Sequence, residues 1–263
     1  MSYQLYKGVW MYFGPERDEQ RLSANECRSL LKKGGFMVRN VYDFDCKEET
    51  QFWYVILDHF DDMDGYNGKM RNQVRRSLRD FEFRLIDRKE LAQKGYPVHC
   101  SAAKKYRVKA DVPTQEAFLE ELEHGVENEF WGAYDRDSGN LVAFAKNQCF
   151  ENSCNYSVLK ATPEAQKRYV YYGLIHEMNR YYLQQRGMDY VNDGARTITE
   201  HSNIQGFLIE KYHFRKAYCH LQLFYRPLLR ILVRLLYPLR NIMPVRQVKA
   251  ILMQEEMSRP ARQ

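Results

Sequence analysis

Between Thr114 and Pro227 the chain switches hydrophobic period again and again, and the order of those switches restricts its fold more than any other feature. Thr114 to His124 keeps Phe118, Leu119 and Leu122 on one helical face, with Thr114 as N-cap and Glu116 in the first turn. Phe130 to Tyr134 and Leu141 to Phe150 then read as strands joined by the polar turn Asp135-Arg136-Asp137-Ser138-Gly139, and Asn155 to Ala161 adds a third, giving an antiparallel meander. After Pro163, Val170 to Arg186 returns to helical period with Tyr171, Leu174, Ile175, Met178 and Tyr182 on one face, and Gly187 closes it. Met188 to Asn192 reads as a strand, His201 or Ser202 to Lys211 as a helix, and Ala217 to Tyr225 as a last strand.

The segment before this core has the same mixed character. A short helix over Glu26 to Lys33 ends at Gly34-Gly35, a strand follows from Phe36 to Val41, and the apolar run at the centre of Gln51 to Phe60 predicts a buried strand. The acidic turn 61–65 lacks the spaced oxygen ligands and closing Glu of a calcium loop. From Lys69 to Arg79, Met70, Val74 and Leu78 recur every four residues beside a stripe of Arg71, Arg75 and Arg79, which predicts an amphipathic helix with a cationic face. A strand over Phe81 to Ile86 and helices over Lys89 to Lys94 and Val98 to Tyr106 complete this part. The expected division is an N-terminal α/β portion, 1–110, a core, 111–227, and an amphipathic basic helical tail, 228–263.

Charge decides where an anionic partner would sit. From Arg226 to Gln263 there are eight Lys or Arg against two Glu, which accounts for the whole net charge of +6 in 263 residues. The body is neutral, and no DNA-binding surface is expected. In the tail, Arg226, Arg230 and Arg234 alternate with Leu228, Leu229, Ile231, Leu232, Val233, Leu235 and Leu236 before Pro238. That stretch falls short of the roughly 20 apolar residues a bilayer span needs. It suits either an anionic membrane surface, contacted through 226–249, or packing on the sheet or a second subunit as a homodimer. Met1 to Trp10 offers no signal-peptide pattern, so a cytoplasmic location, peripheral at the inner face of the membrane, is expected. The six cysteines form no CxxC and none stands at metal-ligand spacing to a His, so reduced thiols and no metal are expected; Cys149 and Cys154 would face each other across a hairpin.

Helix, meander, loop, long helix, strand, helix, strand is the order of the GNAT acyltransferase fold, which the segment from Thr114 to Pro227 resembles throughout. The stretch from Ser202 to Phe214 is similar to that family's N-x-x-A-x-x-L-Y-x-K-x-G-F segment, with Leu208, Lys211 and Phe214 matching, Ser202 in the Asn place, His213 in place of Gly, and Ile209 in place of a Tyr that often protonates the leaving thiolate. The family's [QR]-x-x-G-x-[GA] donor loop aligns with Arg168 to Gly173; Arg168 and Gly173 fit and Tyr171 does not. The arginine helix and the Phe-rich strand after it resemble the segment before the acyltransferase core of FemAB-like proteins, whose donor is aminoacyl-tRNA. The resemblance implies an α+β GNAT fold, a mixed central sheet flanked by helices, with acetyl-CoA or another acyl-CoA as donor, or aminoacyl-tRNA instead.

It also implies roles. Gln166, Lys167, Arg168, Tyr169, Tyr172 and Gly173 would hold the donor phosphate, backbone N–H groups around Tyr156 to Leu159 would stabilise the oxyanion, and Asp193 or His201 would take the amine proton. Arg71, Arg75 and Arg76 would clamp a phosphate of the donor or of a small-molecule or lipid-linked acceptor, since guanidinium forks suit phosphate oxygens. Each residue has a plainer reading: a turn Asp before Gly194, a capping or surface His, and a solvated helix face. The function expected is transfer of an acyl or aminoacyl group to an amine, on an envelope or surface-polymer precursor. The competing reading is a GNAT-fold binding or scaffold protein at a membrane surface that has lost catalysis.

Overall fold

The computed structural model describes residues 2–103, 114–123, 128–197 and 203–260. Strands β1 (Ser2–Tyr6) and β2 (Val9–Phe13) form a hairpin, then helix α1 (Ala24–Lys32) leads to β3 (Met37–Tyr42) and β4 (Phe52–Leu57). Helix α2 (Gly68–Asp80) runs directly into β5 (Phe81–Ile86), followed by α3 (Arg88–Ala103) and α4 (Gln115–Glu123). The meander is β6 (Asn128–Asp135), β7 (Leu141–Cys149) and β8 (Ser153–Ala161). After it come α5 (Pro163–Lys167), α6 (Val170–Asn179), β9 (Tyr190–Ala195), α7 (Ile204–Tyr212), β10 (Arg215–Tyr225), α8 (Pro227–Leu236) and α9 (Arg246–Met257). Where the sequence placed boundaries after 110 and 227, the described residues group into two compact units, one within 1–55, 195–202 and 215–263 and the other within 56–194 and 203–214.

In the first unit β3 pairs antiparallel with β10, from Tyr42↔His220 to Met37↔Tyr225, and parallel with β2 through Val9↔Met37 and Trp10↔Val38. Side chains alternate across a strand, so neighbouring residues serve opposite faces. Val38 and Phe224 meet Cys27 and Leu31 of α1, whereas Met37 and Tyr225 meet Val233, Tyr237 and Leu252 of the C-terminal helices. Helix α1 starts at a complete capping box, in which the Ser23 hydroxyl accepts from the Glu26 N–H and the Glu26 carboxylate accepts from the Ser23 N–H. The N-terminal hairpin was not expected; Lys7 and Gly8 both hold positive φ, 48° and 83°, as a tight primed turn requires.

The second unit carries the meander. β5, β6, β7 and β8 pair antiparallel in turn, and β8 pairs parallel with β9. One side is filled by Phe130, Phe144, Leu91, Val98, Phe118 and Leu122, with α3 and α4 laid over the strands. Helix α3 is continuous through Pro97, where two helices were expected. The long helix is α6 only to Asn179, then widens to π geometry over Arg180–Gln185. Tyr182 lies in that widened turn, where its hydroxyl donates to Glu129 Oε2 at 3.1 Å and accepts from Trp131 Nε1 at 3.1 Å and Asn147 Nδ2 at 3.2 Å. Cys149 and Cys154 are register partners with sulfurs 3.1 Å apart, facing each other as expected. Among the described residues no His, Cys, Asp and Glu cluster suits a metal, and no helix is long and apolar enough to cross a membrane.

Candidate active site

Strands β8 and β9 touch only briefly. Ser153↔Tyr190, Cys154↔Val191 and Asn155↔Asn192 are their partners, yet β8 continues along β7 to Ala161. A bulge at Ser157, between the pairs Lys146↔Val158 and Asn147↔Tyr156, bends β8 where it leaves β9. The chain from Tyr156 to Ala161 therefore presents an edge without a β9 partner, at the place where the resemblance put the oxyanion donors.

Asp193 lies within β9 and follows Asn192, the last residue of that strand paired with β8. Gly194 beyond it has φ 85°, a conformation open to glycine, and its N–H donates to Asn192 Oδ1 at 2.8 Å. The Asn192 Nδ2 is buried and has no hydrogen-bond partner among the described residues. Asp193 is half-buried. Its removal from water raises its pKa from the ordinary 3.8 to about 7, against which a hydrogen bond to the Gln205 side chain, at the start of α7, acts in the lowering direction. A carboxylate with that affinity takes a proton near neutral pH and releases it again. His201 lies outside the described residues.

The six donor-loop residues are placed close together, but the polar groups of several are engaged within the protein. Thr162 caps α5 by accepting from the Ala165 N–H, and Gln166 Nε2 donates to the Ala161 carbonyl at 2.9 Å. Lys167 is exposed. Arg168 donates to Asp135, lies 3.7 Å from Asp80 and stacks its guanidinium 4.7 Å over the Phe81 ring. Asp135 in turn accepts from the Ser138 and Asp137 N–H groups, and these bonds with Arg168 hold its carboxyl below the usual range, so Arg168 serves to fix the β6–β7 hairpin. Gly173 does not lie in a loop: it sits inside α6, and its N–H donates to Ser77 Oγ of α2 at 3.1 Å. A Cβ there would come 2.4 Å from Phe83 Cε2 and 2.5 Å from Ser77 Oγ. Close approach of α6 to α2 and β5 accounts for this glycine. A coenzyme A pyrophosphate cradle needs these groups free, and Gln166, Arg168 and Gly173 do not fit it.

Tyr169, by contrast, marks a continuous surface. It stands just before α6 with φ 68°, its ring 5.6 Å from Tyr172, which is 5.1 Å from Phe207 of α7. The Arg76 guanidinium lies 5.5 Å over Tyr169 and 3.8 Å from Asp80. Arg71 and Arg75 make no ion pair among the described residues. The row Arg76, Tyr169, Tyr172, Phe207 thus links the cationic face of α2 to α7, whose first turn holds Asp193 through Gln205. Burial raises the Tyr172 pKa, while the nearby Lys211 charge works the other way. Ile209 stands where the resemblance puts a Tyr, and the nearby Tyr212 is buried with its hydroxyl donating to the Tyr172 carbonyl at 2.6 Å.

Sequence reasoning missed Gln205, Asn192 and Ser77. Only Ser77 gave a signal, a small polar residue on the apolar side of α2 at the spacing of Val74. His176 is buried against the Phe60 and Tyr66 rings, with Nδ1 3.2 Å from Tyr66 Oη and Nε2 3.4 Å from Asp62 of the acidic turn. Burial lowers its pKa.

No family model matches the chain, and no curated protein matches it. Solved structures do. FemX aligns with a TM-score of 0.55 at 10% identity, covering 73% of each chain. L-PGS from Bacillus licheniformis aligns at 0.48 and 12% identity, over 85% of this chain and 72% of its own, and a GCN5-related N-acetyltransferase from Sphaerobacter thermophilus at 0.42 and 14%, over 80% and 59%. The likeness to FemX is one of fold, and the fold is the GNAT arrangement that the sequence resembles in its FemAB-like form.

Proposed function

We propose that this chain transfers an aminoacyl or acyl group to an amine where β8 parts from β9, with Asp193 as general base. The observation that carries the reading is the place of the Asp193 carboxyl, one residue past the last β8–β9 pair and half-buried, where removal from water pushes its pKa up to about 7. An acceptor amine attacks the donor carbonyl carbon, a C–N bond forms and the donor's ester or thioester bond breaks. The ammonium proton passes to Asp193 and leaves to the departing group or to water. The unpaired edge of β8 offers backbone N–H groups to the carbonyl oxygen as charge gathers there.

Between the donors, the engaged state of Gln166, Arg168 and Gly173 favours aminoacyl-tRNA over coenzyme A, and the unpaired Arg71 and Arg75 suit the phosphates of an RNA end. Tyr169 and Tyr172 offer ring faces on which a terminal base can stack. The acceptor on this reading is a primary amine of a small molecule or lipid-linked precursor. The test offers radiolabelled aminoacyl-tRNA and acetyl-CoA separately, each with a panel of primary amines, to the wild type and to Asp193→Asn. Transfer by the wild type that falls by about 100-fold or more in the variant supports the reading, in line with the usual contribution of a general base. Equal rates in both proteins would sink it. Binding of donor without transfer would favour the non-catalytic module, which Ile209 in the general-acid position also fits.

A further inference from the structure

Helix α8 is apolar on two sides. Leu229, Val233 and Leu236 turn into the first unit's core against Met37, Tyr225 and Leu252. On the other side Leu228, Ile231, Leu232 and Leu235 are 79%, 55%, 53% and 68% exposed, and their spacing of three, four and seven puts them in one stripe. Ile242 and Val245 extend the exposed apolar surface past the helix, at 75% and 49%. A globular chain seldom leaves so continuous a row of large side chains to water unless something covers it.

The charges beside the stripe say what covers it. Arg226, Arg230 and Arg234 follow each other one turn apart along α8, and all three are exposed, as are Arg246 and Lys249. None of these five has a carboxylate partner among the described residues; Arg226 donates to the Leu31 carbonyl instead. A cavity of about 420 Å3 opens along α8, with Arg230, Arg234, Tyr42, Gln222 and Ser258 in its wall. Glu255 also lines it, but that carboxylate is taken by the Tyr225 hydroxyl and Arg259. The buried Gln222 Oε1 has no hydrogen-bond partner among the described residues. A second copy seated on the same stripe would bring no carboxylates of its own to these five cations, whereas an anionic surface supplies negative charge.

We propose that this face docks on an anionic phospholipid surface. Leu228, Ile231, Leu232 and Leu235 enter the headgroup and acyl boundary, and Arg230 and Arg234 meet lipid phosphates at its side. Ten helical residues are too few to span a bilayer, so the contact is one of lying on the surface. The inference goes beyond the transfer reading and is independent of it, because docking needs neither Asp193 nor a donor.

The test is co-sedimentation of the full chain with vesicles of phosphatidylcholine alone and of phosphatidylcholine mixed with phosphatidylglycerol. The wild type is expected to bind the mixed vesicles, to leave the neutral ones, and to detach as salt rises. Leu232→Glu with Leu235→Glu, and separately Arg230→Glu with Arg234→Glu, are each expected to lower partitioning by about tenfold or more. All four positions are exposed, so the urea midpoints should match the wild type and show that the variants fold. Equal partitioning of wild type and both variants overturns the proposal. So does a wild-type dimer in light scattering that the leucine variant dissociates while no vesicle binding is seen, since the stripe would then belong to a second copy.

Discussion

Replacing Asp193 with Asn should stabilise the protein above neutral pH while removing the base proposed for transfer. In the folded chain burial holds the carboxyl protonated up to about 7, whereas in the unfolded chain it ionises at the ordinary 3.8. Between those values the native state binds more protons than the unfolded one, so stability falls as pH rises through that window. The difference of about 3 pH units, at about 1.36 kcal/mol each, comes to about 4 kcal/mol of strain in the ionised state at pH 8. Well below 3.8 both states are protonated and the contribution disappears. Asn keeps the shape and a hydrogen bond to Gln205 but carries no charge to desolvate. Urea unfolding of both proteins at pH 3, 6 and 8 measures the difference directly: near zero at the first, partial at the second, and close to the full amount at the third. A variant no more stable than the wild type at pH 8 would mean that Asp193 is solvated in the fold, and the base assignment would fall with it.

Three other substitutions separate packing from ligand contact. Gly173→Ala should cost about 1–3 kcal/mol through overpacking against Phe83 and Ser77, read by urea midpoint, and Phe83→Leu should restore part of the loss. If Gly173→Ala keeps full stability and loses only donor affinity, the glycine serves a ligand after all. Arg71→Glu with Arg75→Glu should leave stability within about 0.5 kcal/mol, because neither residue has an ion-pair partner among the described residues, yet weaken binding of a tRNA donor and flatten the dependence of log K on log salt by about 1.4 or more. Unchanged salt dependence would assign the arginines to solvent. Arg168→Ala should cost about 1–2 kcal/mol at pH 7 by leaving the Asp135 carboxylate without its cation. Because that carboxyl titrates below 3.8 in the fold, the loss should shrink as pH falls past this value, while donor affinity stays unchanged.

Much of the second unit was legible because its elements announce themselves by period and punctuation. The meander strands stand within a few residues of their expected limits, since the Asp135 to Gly139 turn and the short turn at Glu151 and Asn152 fix the hairpins locally. What escaped was decided by distant contacts or by signals not weighed. The Lys7-Gly8 hairpin was written in the sequence, as two aromatic-rich runs around a turn-forming pair, but a segment read only for targeting hides such a turn. Pro97 suggested a break, yet α3 passes through it, with Leu91, Val98 and Ala102 buried along its length. The π turn at Arg180 could not be foreseen from the period of α6, because its buried Tyr182 hydroxyl answers to Glu129, Trp131 and Asn147, which lie on other elements.

The site shows the same division more sharply, and it bears on which donor to expect. A glycine in a phosphate-loop pattern and a glycine at a helix crossing look identical along the chain. Here Phe83 and Ser77 press against the position that a Cβ of residue 173 would take, and the N–H that would face a pyrophosphate faces a serine hydroxyl. Arg168 fits the motif by letter and the hairpin by contact. Packing thus accounts for the two donor-loop matches, Arg168 and Gly173, whereas Tyr171 and Ile209 differ from the residues that the GNAT pattern has at their places. Asp193 moves the other way. Its plain reading as a turn residue before Gly194 would leave it solvated at its ordinary pKa, but it lies within β9, one residue past the last pair with β8, half-buried and bonded to Gln205. A carboxylate so placed weakens the fold at the pH where the protein would work, and a proton-accepting role at this parting gives that cost a use.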